Sequence, residues 1–165
     1  MLYGRGRRYR ELMVELAFRT ITSHWLPAEH LQQGLHIVRD ADEWNRLWTR
    51  SALRQPPEPP VLAVNWRSEM CVVAALGARP NGGYSVLIET IEAVGEYVTV
   101  VVWEIRPGPN CVTTRGISHP FHAVAACAHV GETNLVKRIA YEDCEAGEVL
   151  TGPAAATAEP AIDPG

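Results

Sequence analysis

From residue 70 to residue 141 the chain is a succession of short apolar runs, each closed by a turn bearing glycine or proline, and that rhythm selects strands over helices. Residues 70–76 (M-C-V-V-A-A-L) are nearly continuous in apolar side chains, the pattern of a strand buried on both faces. Residues 84–91 (Y-S-V-L-I-E-T-I) alternate, as a strand with one covered face does. Residues 97–105 (Y-V-T-V-V-V-W-E-I) are dense in β-branched side chains, which are stiff at χ1 and suit a pleated surface. Residues 121–130 form another apolar run, and 135–141 a last alternating one. The turns between them are Arg79-Pro80-Asn81-Gly82-Gly83, Val94-Gly95-Glu96, Arg106-Pro107-Gly108-Pro109-Asn110 and Gly131-Glu132.

Upstream, residues 14–22 alternate well enough for a first strand, with Leu16, Phe18 and Ile21 as its apolar anchors. Residues 24–35 show no clear period and are read as loop, and 35–39 as a short second strand. One helix interrupts the series, over about residues 41–53. Asp40 is its N-cap and Glu43 stands three residues later, as in a capping box. Trp44, Leu47 and Trp48 then share one helical face. The proline-rich hinge at 55–60 stops the helix. Residues 1–11 are polar and glycine-rich, a flexible arm, and residues 146–165 have the Gly, Ala, Pro, Thr and Glu composition of a disordered tail. Residues 12–145 make one domain, because 12–55 alone cannot bury a core. The expected fold is mainly β: a single-domain β-sandwich or partly open barrel, with the helix over one end and Trp66 and Trp103 in the core.

Composition narrows the function classes. Of 165 residues, 47% are apolar and 21% charged, enough for a core without metal or disulfide staples. A net charge of -4 gives no reason to expect nucleic acid, and Arg5, Arg7, Arg8 and Arg10 read as a solvated terminus. No apolar run is long enough to form a transmembrane segment. The stretch at 12–18 is broken by Glu15 and followed by Arg19, so it makes a poor signal peptide, and the expected location is cytoplasmic. Cys71, Cys111, Cys127 and Cys144 include no C-x-x-C pair and are expected to be mostly buried thiols.

Catalytic motifs are missing: there is no G-x-S-x-G, H-E-x-x-H or G-x-x-x-x-G-K, and no cofactor is implied. His119 and His122 flank Pro120-Phe121, but their i, i+3 spacing on a strand points them to opposite faces, with no third metal ligand evident. A small-ligand or metal site around His119, His122 and Cys111 is the alternative they leave open, and a Cys–His nucleophile pair a further one. Glu142, Asp143, Glu145 and Glu148 read as a solvated acidic patch beside the tail. The distinctive features are two loops. Arg79-Pro80-Asn81-Gly82-Gly83-Tyr84 carries paired glycines that tolerate positive φ, and Pro107-Gly108-Pro109 leads to Asn110-Cys111. Each is either a tight turn or a binding loop on a rigid scaffold.

These loops also carry a family resemblance. L-G-A-R-P-N-G-G-Y-S-V, then R-P-G-P-N-C-V-T-T, then S-H-P-F-H-A-V-A, preceded by D-A-D-E-W-N-R-L-W and V-N-W-R-S-E-M-C-V-V-A, resemble the PrcB-like family over roughly residues 34–127. The resemblance implies a small β-rich domain without catalytic residues, acting as an accessory or stabilising subunit of a protease complex. Its partner is then a protease or another protein, met through Arg79, Pro80, Asn81, Gly82, Gly83, Tyr84, Pro107, Gly108 and Pro109. Members of the family are often exported or lipid-anchored, whereas a signal and a lipobox cysteine are not found in this sequence. Residues 80–84 also faintly resemble the N-P-T-T-G-Y loop of chagasin-type cysteine-protease inhibitors, which implies an inhibitor-like sandwich binding through that loop.

Overall fold

The computed structural model describes residues 12–23, 28–29, 31–49, 63–145 and 149–150. The N-terminal arm, the expected helix end near residue 53, the proline hinge and most of the tail lie outside the described residues. The strands are β1 (Val14–Glu15), β2 (Phe18–Ser23), β3 (Gly34–Val38), β4 (Glu69–Ala75), β5 (Arg79–Asn81), β6 (Ser85–Val94), β7 (Tyr97–Pro107), β8 (Val112–Thr113), β9 (Arg115–Ser118), β10 (Phe121–Cys127), β11 (Glu132–Glu142) and β12 (Val149–Leu150). The helix is α1 (Ala41–Thr49). Two four-stranded sheets, ordered β1-β6-β7-β11 and β2-β10-β4-β3, form a sandwich that does not close into a barrel. All pairings are antiparallel except β11 with β7 and β12 with β8.

The pleat sorts the apolar runs. Met70, Val72 and Ala74 of β4 face the other sheet and pack with Val124 and Ala126 of β10, Ile88 and Ile91 of β6, and Val98, Val100 and Val102 of β7. Cys71, Val73 and Ala75 face the opposite way and, with Phe121 and Ala123, meet Trp44 and Trp48 of α1. Both faces of β4 are therefore buried, as its unbroken apolar run demands. It follows that the helix covers a sheet face and not an end of the sandwich: the outward apolar row of β4 and β10 is what needs a cover. Trp48 is fully buried and stands edge-on to both Trp44 and Phe121, at centroid separations of 5.4 and 5.9 Å. Asp40 Oδ1 accepts the Glu43 N–H at 2.7 Å, while Glu43 reaches back to the N–H of Arg39 and not of Asp40, a capping box displaced by one residue.

Two local irregularities escape a simple period. The single expected strand at 14–22 is two strands: β1 pairs with β6 of one sheet and β2 with β10 of the other, so the chain changes sheet between Glu15 and Phe18. In β6 the register shifts between Ile88 and Thr90, which turns both Ile88 and Ile91 inward although they are three residues apart. Trp66 is half-buried against the α1 side of the core, whereas Trp103, expected in the core, lies half-buried on the outward parity of β7, with the Arg138 guanidinium over its ring. Two residues of the expected tail, Val149 and Leu150, pair with Val112 and Thr113.

Candidate functional site

The two proline–glycine segments, far apart in sequence, meet at one end of the sandwich. Residues 79–81 are a strand and not only a turn: Arg79 pairs with Ser118 and Asn81 with Arg115. Ser118 Oγ donates to the Asn81 carbonyl at 2.6 Å, and Asn81 Oδ1 accepts the Gly83 N–H at 3.0 Å, an Asx turn. The Gly82 N–H donates to the Thr114 carbonyl at 3.2 Å. The glycines are needed for close approach and not for positive φ, which falls instead at Gly34, Gly77, Gly95 and Gly116. A Cβ on Gly83 would stand 2.5 Å from Thr113 Cγ2 and 3.0 Å from Pro107 Cβ, so Gly83 is the point where the two segments touch. Gly108 donates its N–H to the Glu142 carbonyl at 3.0 Å, fastening the second segment to the end of β11.

Under this end lies a charge cluster that the strand pattern hides. Glu104 falls on the inward parity of β7, after Val98, Val100 and Val102, and is completely buried. Its carboxylate is met by Arg106 Nε at 2.9 Å, Arg79 Nη2 at 3.3 Å and Lys137 Nζ. Burial pushes the carboxyl up, but hydrogen bonds from Lys137, Arg106 and Arg79 outweigh it and hold Glu104 at about 2. Such a carboxylate is too weak a base for proton transfer near neutral pH. What it does is position: Arg79 also donates to the Leu76 carbonyl at 2.7 Å and the Ala78 carbonyl at 3.0 Å, and its guanidinium lies 5.9 Å from the Tyr84 ring centroid. The 76–84 segment is thereby tied to β7 at its root. One charged residue on the inward parity of an otherwise apolar strand was the available signal for Glu104.

Arg79, Asn81, Gly82, Tyr84 and Pro107 are partly buried and Gly83 and Gly108 are buried, which leaves Pro80 and Pro109 as the outward members of the expected set. The neighbouring strands add Val112, 49% exposed, and Ile117, 73% exposed. Nothing in the sequence around Val112 and Ile117 singled them out. A cleft of about 360 Å³ lies elsewhere, between β3 and α1, lined by His36, Glu43, Arg46 and Leu47 among others. There the His36 ring is already within hydrogen-bond distance of the Gln32 carbonyl, at 2.9 Å.

The residues of the alternative ligand site go separate ways. Cys111 is bonded to Cys144 in a disulfide, which corrects the expectation of mostly buried thiols: only Cys71 is a buried thiol, and Cys127 is exposed. The pairing depends on the 108–111 segment lying against the end of β11, which no cysteine spacing could reveal. Burial raises Cys71 to about 12, so its thiolate is suppressed. His122 lies between the sheets with both ring nitrogens engaged: the Ile88 N–H donates to Nδ1 at 3.0 Å, and Nε2 is 2.9 Å from Thr20 Oγ1. The Ile88 bond requires Nδ1 to be bare, so the ring proton sits on Nε2 and points at Thr20. Burial lowers His122 to about 4. Among the described residues no three His, Cys, Asp or Glu side chains gather as a metal set, and no helix is long and apolar enough to cross a membrane.

Residues 70–126 match the family model described as PrcB C-terminal. The matched span runs from β4 to β10 and contains both proline–glycine segments, Glu104, and the strands β8 and β9 against which the first segment is sealed. No curated protein and no solved structure matches the chain.

Proposed function

We propose, from the PrcB C-terminal character of residues 70–126, that this chain is a non-catalytic interaction module that stabilises a protease complex. Its partner-binding surface is the proline–glycine end of the sandwich. The observation that supports this surface is the meeting of the two segments at Gly83 and Pro107, both inside the matched span. Rigid loops bind at a lower entropic cost than mobile ones. This end is rigid by construction, pinned by the Asx turn, the β5–β9 pair, the Arg79–Glu104 ion pair and the Cys111–Cys144 bond. Exposed on these segments and the strands beside them are Pro80, Pro109, Val112 and Ile117. The disulfide favours an oxidising compartment over the cytoplasm.

The test is affinity capture with the immobilised chain, with bound proteins identified by mass spectrometry and assayed for proteolysis. Enrichment of one protease in stoichiometric amount, lost with Ile117→Asp while the circular dichroism spectrum is kept, is the expected result. Absence of any protease from the wild-type eluate would overturn the protease reading, and retention by Ile117→Asp would move the surface elsewhere.

A further inference from the structure

We infer that the outer edge of β11 is a self-association site, at which two copies of the chain pair antiparallel and join their sheets into one. This surface is separate from the proline–glycine end and does not depend on the protease reading.

The backbone supplies the first argument. β11 runs parallel to β7 in unbroken register for eleven residues, Glu132 opposite Tyr97 through Glu142 opposite Pro107. The Glu132 N–H bonds to the Glu96 carbonyl and the Glu142 carbonyl accepts from Gly108, so even-numbered residues direct their N–H and C=O groups at β7. Odd-numbered residues, 133 to 141, direct theirs outward, and among the described residues no strand pairs with that edge.

The second argument is that the usual protection of an edge is missing. Natural edges are short, bulged, interrupted by proline or guarded by free charges. β11 is as long as any strand here, has no bulge and contains no proline. Its two central cations are already committed to its own sheet: Lys137 to Glu104, and Arg138 to Glu89 at 3.0 Å, with its guanidinium 5.5 Å from the Trp103 ring centroid. Four large apolar side chains of the strand stay open to solvent: Leu135 at 45%, Val136 at 41%, Ile139 at 47% and Tyr141 at 63%.

Charge complementarity identifies the occupant as a second copy and selects the register. A two-fold axis perpendicular to the sheet pairs residues of equal parity. With the axis at Lys137 the whole strand overlaps, but Lys137 faces itself and Glu132 faces Glu142 twice, which opposes pairing. With the axis at Leu135, Glu132 meets Arg138, but Ile139 and Tyr141 stay uncovered. With the axis at Ala140, Arg138, which holds Glu89 through Nη1 and keeps a half-exposed side chain, meets Glu142 twice on one face, and Ile139 meets Tyr141 twice on the other. The small Ala140 side chain lies on the axis. In this register Ile139 and Tyr141, whose outward N–H and C=O groups have no strand partner among the described residues, exchange hydrogen bonds across the interface.

Sedimentation equilibrium of the full chain, from micromolar to millimolar, tests the proposal alongside amide hydrogen exchange. The expected result is a concentration-dependent dimer, with odd-numbered β11 amides gaining protection as it forms. Glu142→Arg, at an exposed position, should weaken the dimer about tenfold or more, since two attractive pairs become repulsive. Ile139→Pro should abolish it while leaving the ladder to β7 intact, because an odd-numbered N–H is not part of that ladder. The double exchange Arg138→Glu with Glu142→Arg should restore it in a Glu89→Gln background, where the new carboxylate does not face Glu89. A monomer throughout the range overturns the proposal, whether its β11 amides exchange freely or are shielded by another segment of the same chain. So does a dimer indifferent to both single substitutions.

Discussion

Glu104 and His122 are the polar side chains that the core admits among the described residues, and each makes the fold sensitive to acid in its own pH window. The folded His122 titrates at about 4, below the ordinary value of 6.5, so the unfolded chain takes up that proton first as pH falls. Its contribution is complete above pH 6.5 and lost on descent to about pH 4, a change of about 3 kcal/mol. Glu104 titrates at about 2 when folded and 4.5 when free, so its contribution is complete above pH 4.5 and lost as pH falls through about 2, again by about 3 kcal/mol. Urea midpoints measured from pH 8 to pH 2 should therefore fall in two adjoining steps. His122→Gln should flatten the upper step and Glu104→Gln the lower. Glu104→Gln should also cost about 3 kcal/mol at neutral pH, because it leaves Arg79, Arg106 and Lys137 facing a neutral amide. A variant as stable as wild type would mean that the three cations find other counter-charges.

At the scale of elements, the helix and the first proline–glycine segment hold their places by different means. α1 is held by Trp48, fully buried against Trp44 and Phe121, and Trp48→Ala should cost about 3–5 kcal/mol in chemical denaturation. Both the capping residue and the tryptophan face of this helix are legible in the sequence, since they depend on spacings of three and four. The 79–84 segment is held by close approach at Gly83. Gly83→Ala forces a methyl against Thr113 and Pro107 and should cost about 1–3 kcal/mol, with chemical-shift changes at both Pro107 and Thr113. That Gly83 is special is legible too, but the reason is not: a glycine pair after proline suggests positive φ, and the actual constraint is Pro107 and Thr113, twenty-four and thirty positions away in the chain.

At the scale of the molecule, the Cys111–Cys144 bond joins positions 33 residues apart and closes the proline–glycine end over β11. Removing it with Cys111→Ser should lower stability by about 3–4 kcal/mol through the freed loop entropy of the unfolded chain. If the proposed function holds, the same variant should weaken protease capture by loosening Pro109 and Val112, and unchanged capture would show that the bond serves stability alone. Local periodicity by itself determined the mainly β class, the main strands, the helix and its buried face, and the glycine- and proline-marked segments, because each is written in side chains a few residues apart. The tertiary structure alone decided which sheet each strand joins, the sheet change between β1 and β2, the bulge that turns Ile88 and Ile91 inward, the disulfide, the ring of cations around Glu104 and the open edge of β11. Each of these rests on contacts between residues distant in the chain, and such contacts exist only once the two sheets have closed on one another.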